Sequence, residues 1–245
     1  MSLLSILIES LLNLISILGI FIFFGFLFNI IESKNNQLIQ QAFGEKIIIF
    51  TGFIGTIVHE LSHTIMALIF NHKIVKIELF RPRKYKEDGV LGFVRHTYNP
   101  SSIYQQVGNF FIGIAPMIFG TLAISLIFII FSNSNYQQFA NSFNVSLYHV
   151  SVKSFNFLNF LQLLLQDVFF LFKTIFSFDY IFDINHLIMI FLIYSISTHM
   201  TLSISDLKGS LKGLLVCFSL IFILTLLSNI FDISNVFLTD YMFTI

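Results

Sequence analysis

The chain has 245 residues, of which 56% are hydrophobic and only 11% are charged, and its formal net charge at pH 7 is zero. So apolar a composition excludes an ordinary soluble domain, and the balanced charge gives no reason to expect nucleic acid as a partner. A single cysteine, Cys217, excludes an intramolecular disulfide and a cysteine-based zinc site. We therefore expect a polytopic membrane protein, built as a single domain over residues 1–245 and surrounded by the lipid bilayer.

Apolar runs long enough to cross a bilayer, which takes about 20 helical residues, recur along the chain. They predict an all-α fold with about five membrane-spanning helices, at residues 3–31, 47–70, 110–131, 187–198 (extended upstream toward residue 181) and 207–230. Residues 155–178 mix Phe and Leu with polar side chains, so this segment either spans or lies in the interface as an amphipathic or re-entrant helix. Residues 132–146, rich in Asn, Ser and Gln, are predicted to form a polar loop.

Seven of the 13 basic residues crowd into one segment between two spans: Lys73, Lys76, Arg81, Arg83, Lys84, Lys86 and Arg95. Positive charge between spans marks the cytoplasmic side, so residues 73–98 and the N-terminus are predicted to be cytoplasmic in the cell (plasma) membrane. Two β-like runs, 74–80 and 90–98, flank an Asp88-Gly89 turn signal. The segment is therefore predicted to be a small β-hairpin at the cytoplasmic surface.

The second span contains the sequence His59-Glu-Leu-Ser-His63, an H-E-x-x-H motif in an otherwise apolar helix. Histidines at positions i and i+4 lie one above the other on a helix, so His59 and His63 can chelate one Zn²⁺. Glu60 lies beside them, where it can act as general base on a water at the metal. The small and polar residues of this span share one face, which we expect to point toward other helices rather than lipid.

A catalytic zinc normally takes a third protein ligand and keeps one open position. The two histidines lie nearer the cytoplasmic end of their span, and the polar break between the last two spans reaches that side if residues 155–178 do not cross the membrane. The break offers Asp206 and His199; we favour Asp206, with His199 as a hydrogen-bonding partner or substitute ligand. Ser203-Ile-Ser-Asp206 also fits a helix-capping pattern. In the third span, Pro116 is predicted to kink the helix and free a backbone carbonyl, which other protein must cover.

Together these motifs make the chain resemble the site-2 protease family, the intramembrane zinc metalloproteases, over residues 47–213. The likeness is found in the H-E-L-S-H motif of a membrane helix, the β-containing segment after it, Gly113-Ile-Ala-Pro116, and Ser205-Asp-Leu-Lys-Gly209. Ala115 replaces a family glycine, and two residues separate Asp206 from Gly209, so the resemblance is to a divergent, minimal member.

The resemblance implies a zinc-dependent endopeptidase that cleaves membrane-protein substrates in or near their transmembrane segments. It implies His59, His63 and Asp206 as zinc ligands and Glu60 as the general base. The alternative is a catalytically silent, metal-binding membrane scaffold, regulator or transporter-like protein. A zinc enzyme acting on a non-peptide substrate is a third possibility.

Overall fold

The computed structural model describes residues 3–152, 157–177 and 182–230. These residues form mostly helices and one two-stranded sheet, which confirms that part of the predicted fold. In chain order the elements are α1 (Leu3–Phe43), α2 (Glu45–Ile69), β1 (Lys73–Glu78), α3 (Tyr85–Asp88), β2 (Phe93–Thr97), α4 (Ile103–Phe131), α5 (Asn133–Val152), α6 (Phe157–Ile175), α7 (Ile184–Ser197) and α8 (Ile204–Ile230).

Three of the described helices are long and apolar enough to cross a membrane, namely Glu45–Ile69, Ile103–Phe131 and Ser205–Ile230. They coincide with the predicted second, third and last spans. Two shorter apolar helices, Leu4–Ile15 and Ile184–Ser197, lie where the first and fourth spans are predicted, and spanning by these two stays a prediction. Whether residues 155–178 span the membrane or lie in the interface also stays a prediction. Residues 155, 156, 178 and 181 lie outside the described residues.

The chain packs as two compact units. The first contains the described residues 3–123 and 194–230, and its core is formed by buried apolar side chains of α1, α4 and the approach to α8: Leu14, Leu18, Phe110, Ile114, Met117 and Leu202. The second contains residues 124–152, 157–177 and 182–193. All the residues of the candidate site lie in the first unit.

The polar segment that the sequence suggested as a loop is instead a helix, α5. The prediction was wrong because it weighed polarity alone, and the segment contains neither Gly nor Pro to break a helix. Ser132 begins it: its backbone carbonyl accepts the Tyr136 N–H at 2.9 Å, and its hydroxyl accepts the Asn135 side-chain amide at 2.8 Å. Along the helix, Ser142 donates to the buried Asp167 carboxylate of α6 at 2.5 Å. A helix with a polar side chain bonded to its neighbour therefore replaces the expected loop.

The sheet confirms the predicted strand pair between the second and third spans. β1 and β2 are antiparallel, with Lys73 opposite Thr97 and Glu78 opposite Phe93, and the register shifts between Ile74 and Lys76. The connection is longer than a tight turn because it contains α3, which ends at Gly89 with a φ of 70°. Glycine adopts this left-handed conformation without a steric penalty, which explains the Asp-Gly signal.

The buried face of α2 is lined by small or polar residues, with one exception, as its periodicity predicts: Ile48, Gly52, Gly55, Thr56, Glu60, Ser62, His63, Thr64 and Ala67. At Gly55 a Cβ atom would lie only 2.0 Å from the backbone oxygen of Ser195, so glycine permits the end of α7 to touch α2. The Ser195 hydroxyl accepts the Gly55 N–H at 2.9 Å and donates to the Thr51 carbonyl. It therefore bridges one turn of α2 and brings residues 195–199 beside the H-E-x-x-H motif.

Candidate metal centre

Three potential ligand atoms from α2 and α8 converge in the first unit. His59 Nε2 lies 3.0 Å from His63 Nε2, and the Asp206 carboxylate lies 3.7 Å from the first nitrogen and 3.4 Å from the second. Tetrahedral zinc with bonds of about 2.0–2.1 Å holds neighbouring ligand atoms about 3.3 Å apart. The spacing of this group therefore suits one zinc ion with small adjustments of side-chain torsions.

Hydrogen bonds to backbone carbonyls fix the tautomer of both histidines. His59 Nδ1 lies 2.6 Å from the His199 carbonyl oxygen, and His63 Nδ1 lies 2.8 Å from that of Ile112. A carbonyl oxygen only accepts, so each Nδ1 carries a proton, and in the neutral ring each Nε2 presents a lone pair. Two such lone pairs and a carboxylate aimed at one point repel one another unless a cation lies between them. The donor set therefore fits a divalent metal.

The Ile112 carbonyl that accepts from His63 has no backbone partner within α4 because of Pro116. In an α-helix the carbonyl of residue 112 would accept the N–H of residue 116, but Pro116 has no N–H. The structure thus agrees with the prediction that Pro116 frees a carbonyl covered by other protein: the His63 ring occupies the vacated acceptor. The Ile112 carbonyl, left without a partner inside α4, therefore orients the side chain of His63, a candidate ligand on α2.

Pro116→Ala is expected to weaken zinc affinity about tenfold, the lower end of the usual effect of losing a hydrogen-bond partner of a metal ligand. The restored backbone N–H competes with His63 for the Ile112 carbonyl. The measurement is zinc affinity of the purified protein by competition with a chromogenic chelator. Leu122→Ala, on an exposed side of the same helix, is the control and should leave the affinity unchanged. Equal affinities for the two variants would show that the freed carbonyl does not matter to the site.

Asp206 combines two roles in one side chain. Ser203 donates its backbone N–H and its hydroxyl to Asp206 Oδ2, at 2.9 and 2.6 Å, and the Asp206 N–H donates to the Ser203 hydroxyl at 3.1 Å. This reciprocal pair confirms the predicted cap at the start of α8. The other carboxylate oxygen, Oδ1, is the one nearer His63. Capping therefore orients Asp206 through Oδ2, which also lies 3.7 Å from His59 Nε2, and leaves Oδ1 to face His63.

His199 lies beside the site, but its side chain is not part of the converging group. Its ring Nδ1 is 3.1 Å from the Ser195 carbonyl oxygen, while its own backbone carbonyl accepts from His59. The sequence predicted His199 as a hydrogen-bonding partner or substitute ligand, and its contact with His59 is made by the backbone carbonyl.

Glu60 shares a cavity of about 600 Å³ with the three candidate ligands. Its side chain is buried, and its carboxylate accepts a hydrogen bond from the backbone N–H of Val94 on β2. The approach of the hairpin depends on Gly92, where a Cβ would lie 2.9 Å from both Glu60 and Thr56 side-chain carbons. The sheet therefore positions the carboxylate next to the ligand group.

No family model, curated protein or solved structure matches this chain. The chemistry of the site is therefore inferred from its own atoms.

Glu32 and Asn109 line the cavity but were not predicted to belong to the site, and Thr56, on the small and polar face of α2 that the sequence predicts to point inward, lines it as well. Thr56 Oγ1 and Asn109 Nδ2 are buried without a hydrogen-bond partner among the described residues. Leaving such a group unpaired costs about 1–3 kcal/mol, so the cavity is suited to water or to a polar ligand. Glu32, at the polar end of α1, has its pKa raised to about 7 by burial. An isolated polar residue in or beside an apolar run was the available signal for all three.

Proposed function

We propose that this protein is a zinc-dependent intramembrane endopeptidase that hydrolyses peptide bonds in or near the transmembrane segments of other membrane proteins. The observation that supports it best is the convergence of two imidazole nitrogens and a carboxylate at a cavity that Glu60 also lines. The motifs of this chain resemble those of the site-2 proteases, and residues of the membrane-compatible helices α2, α4 and α8 line the cavity.

The ligands in this proposal are His59, His63 and Asp206, with one coordination position left open. Bound there, zinc lowers the pKa of water toward 7 and polarises a carbonyl. The Glu60 carboxylate would take a proton from water as its oxygen forms the new C–O bond to the carbonyl carbon, and would then return that proton to the leaving nitrogen as the C–N bond breaks. The Val94 N–H holds the carboxylate in place for this transfer.

The proposed topology places the N-terminus and residues 73–98 on the cytoplasmic side of the plasma membrane. The motif then lies toward the cytoplasmic end of α2, with the sheet over it. A transmembrane substrate must unwind locally to expose a peptide bond to the cavity, because helical hydrogen bonds otherwise shield its carbonyls.

The proposal is tested with purified protein in lipid vesicles and a single-span peptide bearing a fluorophore and a quencher at its ends. Cleavage is expected with zinc, to stop on treatment with 1,10-phenanthroline, and to return when zinc but not magnesium is added back. Magnesium prefers oxygen ligands and near-octahedral geometry, which two imidazoles and one carboxylate do not offer. Cleavage that persists unchanged after complete removal of metal would contradict the proposal.

A further inference from the structure

His96 of β2 lies in the wall of the same cavity, and one of its ring nitrogens is held by His72. His96 Nδ1 is 2.9 Å from His72 Nδ1, and His72 Nε2 is 2.8 Å from the carbonyl oxygen of Gln105. The carbonyl can only accept, so His72 carries its proton on Nε2. Burial lowers the pKa of His72, which keeps the ring neutral and its Nδ1 unprotonated. His96 must then donate from Nδ1, so its Nε2 is unprotonated and carries a lone pair.

His72 is a rigid anchor for this arrangement. Its side chain is 3% exposed, and its ring stacks on Tyr98 with centroids 5.3 Å apart. It follows the end of α2, where Asn71 turns the chain with a φ of 56° and the His72 N–H donates to the Ala67 carbonyl at 2.8 Å. With the bond from the Asn71 N–H to the Leu68 carbonyl at 3.0 Å, this forms a Schellman-type helix end. The tautomer of His96 is thus fixed by a residue that cannot easily rotate away.

The remaining nitrogen of His96, Nε2, has no hydrogen-bond partner in the part of the chain that the structure describes. Burial lowers the pKa of His96 to about 4, with His72 adding to the effect, so the ring is neutral at physiological pH. The unprotonated Nε2 of a neutral imidazole can only accept a hydrogen bond. Its natural partner in a cavity that receives a peptide is a backbone N–H, the donor that an unwound substrate exposes.

We propose that His96 Nε2 accepts a hydrogen bond from a backbone N–H of the bound substrate, and that His72 is the positioning residue that sets the tautomer. The inference rests on the proposed function for the identity of the ligand, an unwound peptide. The unpaired Thr56 and Asn109 atoms lining the same cavity support a polar occupant independently.

Two substitutions of His96 separate substrate binding from a structural role. In His96→Asn the side-chain amide can replace Nδ1–H and keep the contact with His72, but no acceptor reaches the cavity. In His96→Gln an amide oxygen reaches the position of Nε2, but the contact with His72 is lost. We expect His96→Asn to lower kcat/KM about tenfold, mainly through KM, with zinc content and unfolding midpoint unchanged. His96→Gln should stay closer to the wild-type kcat/KM while unfolding at lower temperature. The reverse order of kcat/KM would show that His96 is only structural.

A second measurement does not depend on cleavage. Zinc-loaded Glu60→Gln protein with ¹⁵N-labelled histidine is examined in lipid by solid-state NMR, and the His96 signals are identified by their loss in a His96→Asn background. The expected spectrum has a protonated Nδ1 and an unprotonated Nε2 whose resonance shifts when a synthetic leucine-rich membrane-spanning peptide with a central Asn-Gly break is added. A protonated Nε2, or one that ignores the peptide, would overturn the inference. If the wild-type protein cleaves nothing, the proposed function fails while this spectrum still decides on His96.

Discussion

Glu60→Gln is expected to abolish detectable peptide cleavage while leaving zinc content at the wild-type level. The amide has nearly the same shape as the carboxylate, and its oxygen can still accept the Val94 N–H. It cannot take a proton from water, and general-base catalysis contributes about 10²–10⁴ to the rate of such reactions. Glu60 is not a member of the converging ligand group, so the metal should stay bound. Cleavage rate in vesicles and metal content by mass spectrometry are measured on the same preparation.

The matched control for this variant is Glu45→Gln, which changes an exposed carboxylate in the first turn of the same helix. It should cleave at the wild-type rate. Wild-type cleavage by Glu60→Gln would remove the general base from the mechanism. If the wild-type protein binds zinc but cleaves no membrane substrate, the catalytically silent scaffold becomes the better explanation.

Asp206→Asn is expected to weaken zinc affinity by at least about 100-fold, beyond the 10–100-fold typical of groups that merely orient a ligand. Asparagine keeps a side-chain oxygen able to accept the Ser203 N–H, so the helix cap survives in part and loss of folding does not obscure the result. The lost quantity is the negative charge that faces His63 and His59 at 3.4 and 3.7 Å. Calorimetric zinc titration of the metal-free protein measures the change.

His199→Ala is the companion variant, since His199 is the competing candidate for the third ligand. Alanine keeps the backbone carbonyl that accepts from His59, so zinc affinity should stay within about threefold of wild type, well inside the effect of losing a ligand. The opposite pattern, tight binding by Asp206→Asn and weak binding by His199→Ala, would replace Asp206 by His199 in the ligand set.

Short sequence patterns were sufficient to predict the structural features that depend only on residues close together in the chain. The spacing of His59 and His63 on one helix face, the Ser203–Asp206 cap and the freed carbonyl before Pro116 each depend on residues within one or two helical turns. The buried stripe of α2 followed from periodicity in the same way. These interactions are set by backbone geometry that a short stretch already determines.

Features that depend on contacts between distant segments could not be predicted. The Ser195 hydroxyl that bridges a turn of α2, the His199 carbonyl on His59 and the Val94 N–H on Glu60 join residues far apart in sequence. Two of these three use backbone atoms, which every residue possesses and composition cannot single out. The α5 helix was missed for a different reason: the prediction weighed polarity alone, and it could not foresee the hydrogen bond from Ser142 to Asp167 of α6.

The central claim is a zinc site built on α2 and completed from α8, and metal analysis of the purified protein tests it most directly. Wild-type protein prepared with zinc in the medium and His59→Ala prepared identically are dialysed and analysed for metal. We expect about one zinc per wild-type chain and almost none in His59→Ala, with both proteins equally folded. A wild-type protein that retains no zinc, or a His59→Ala variant that keeps the full amount, would contradict it.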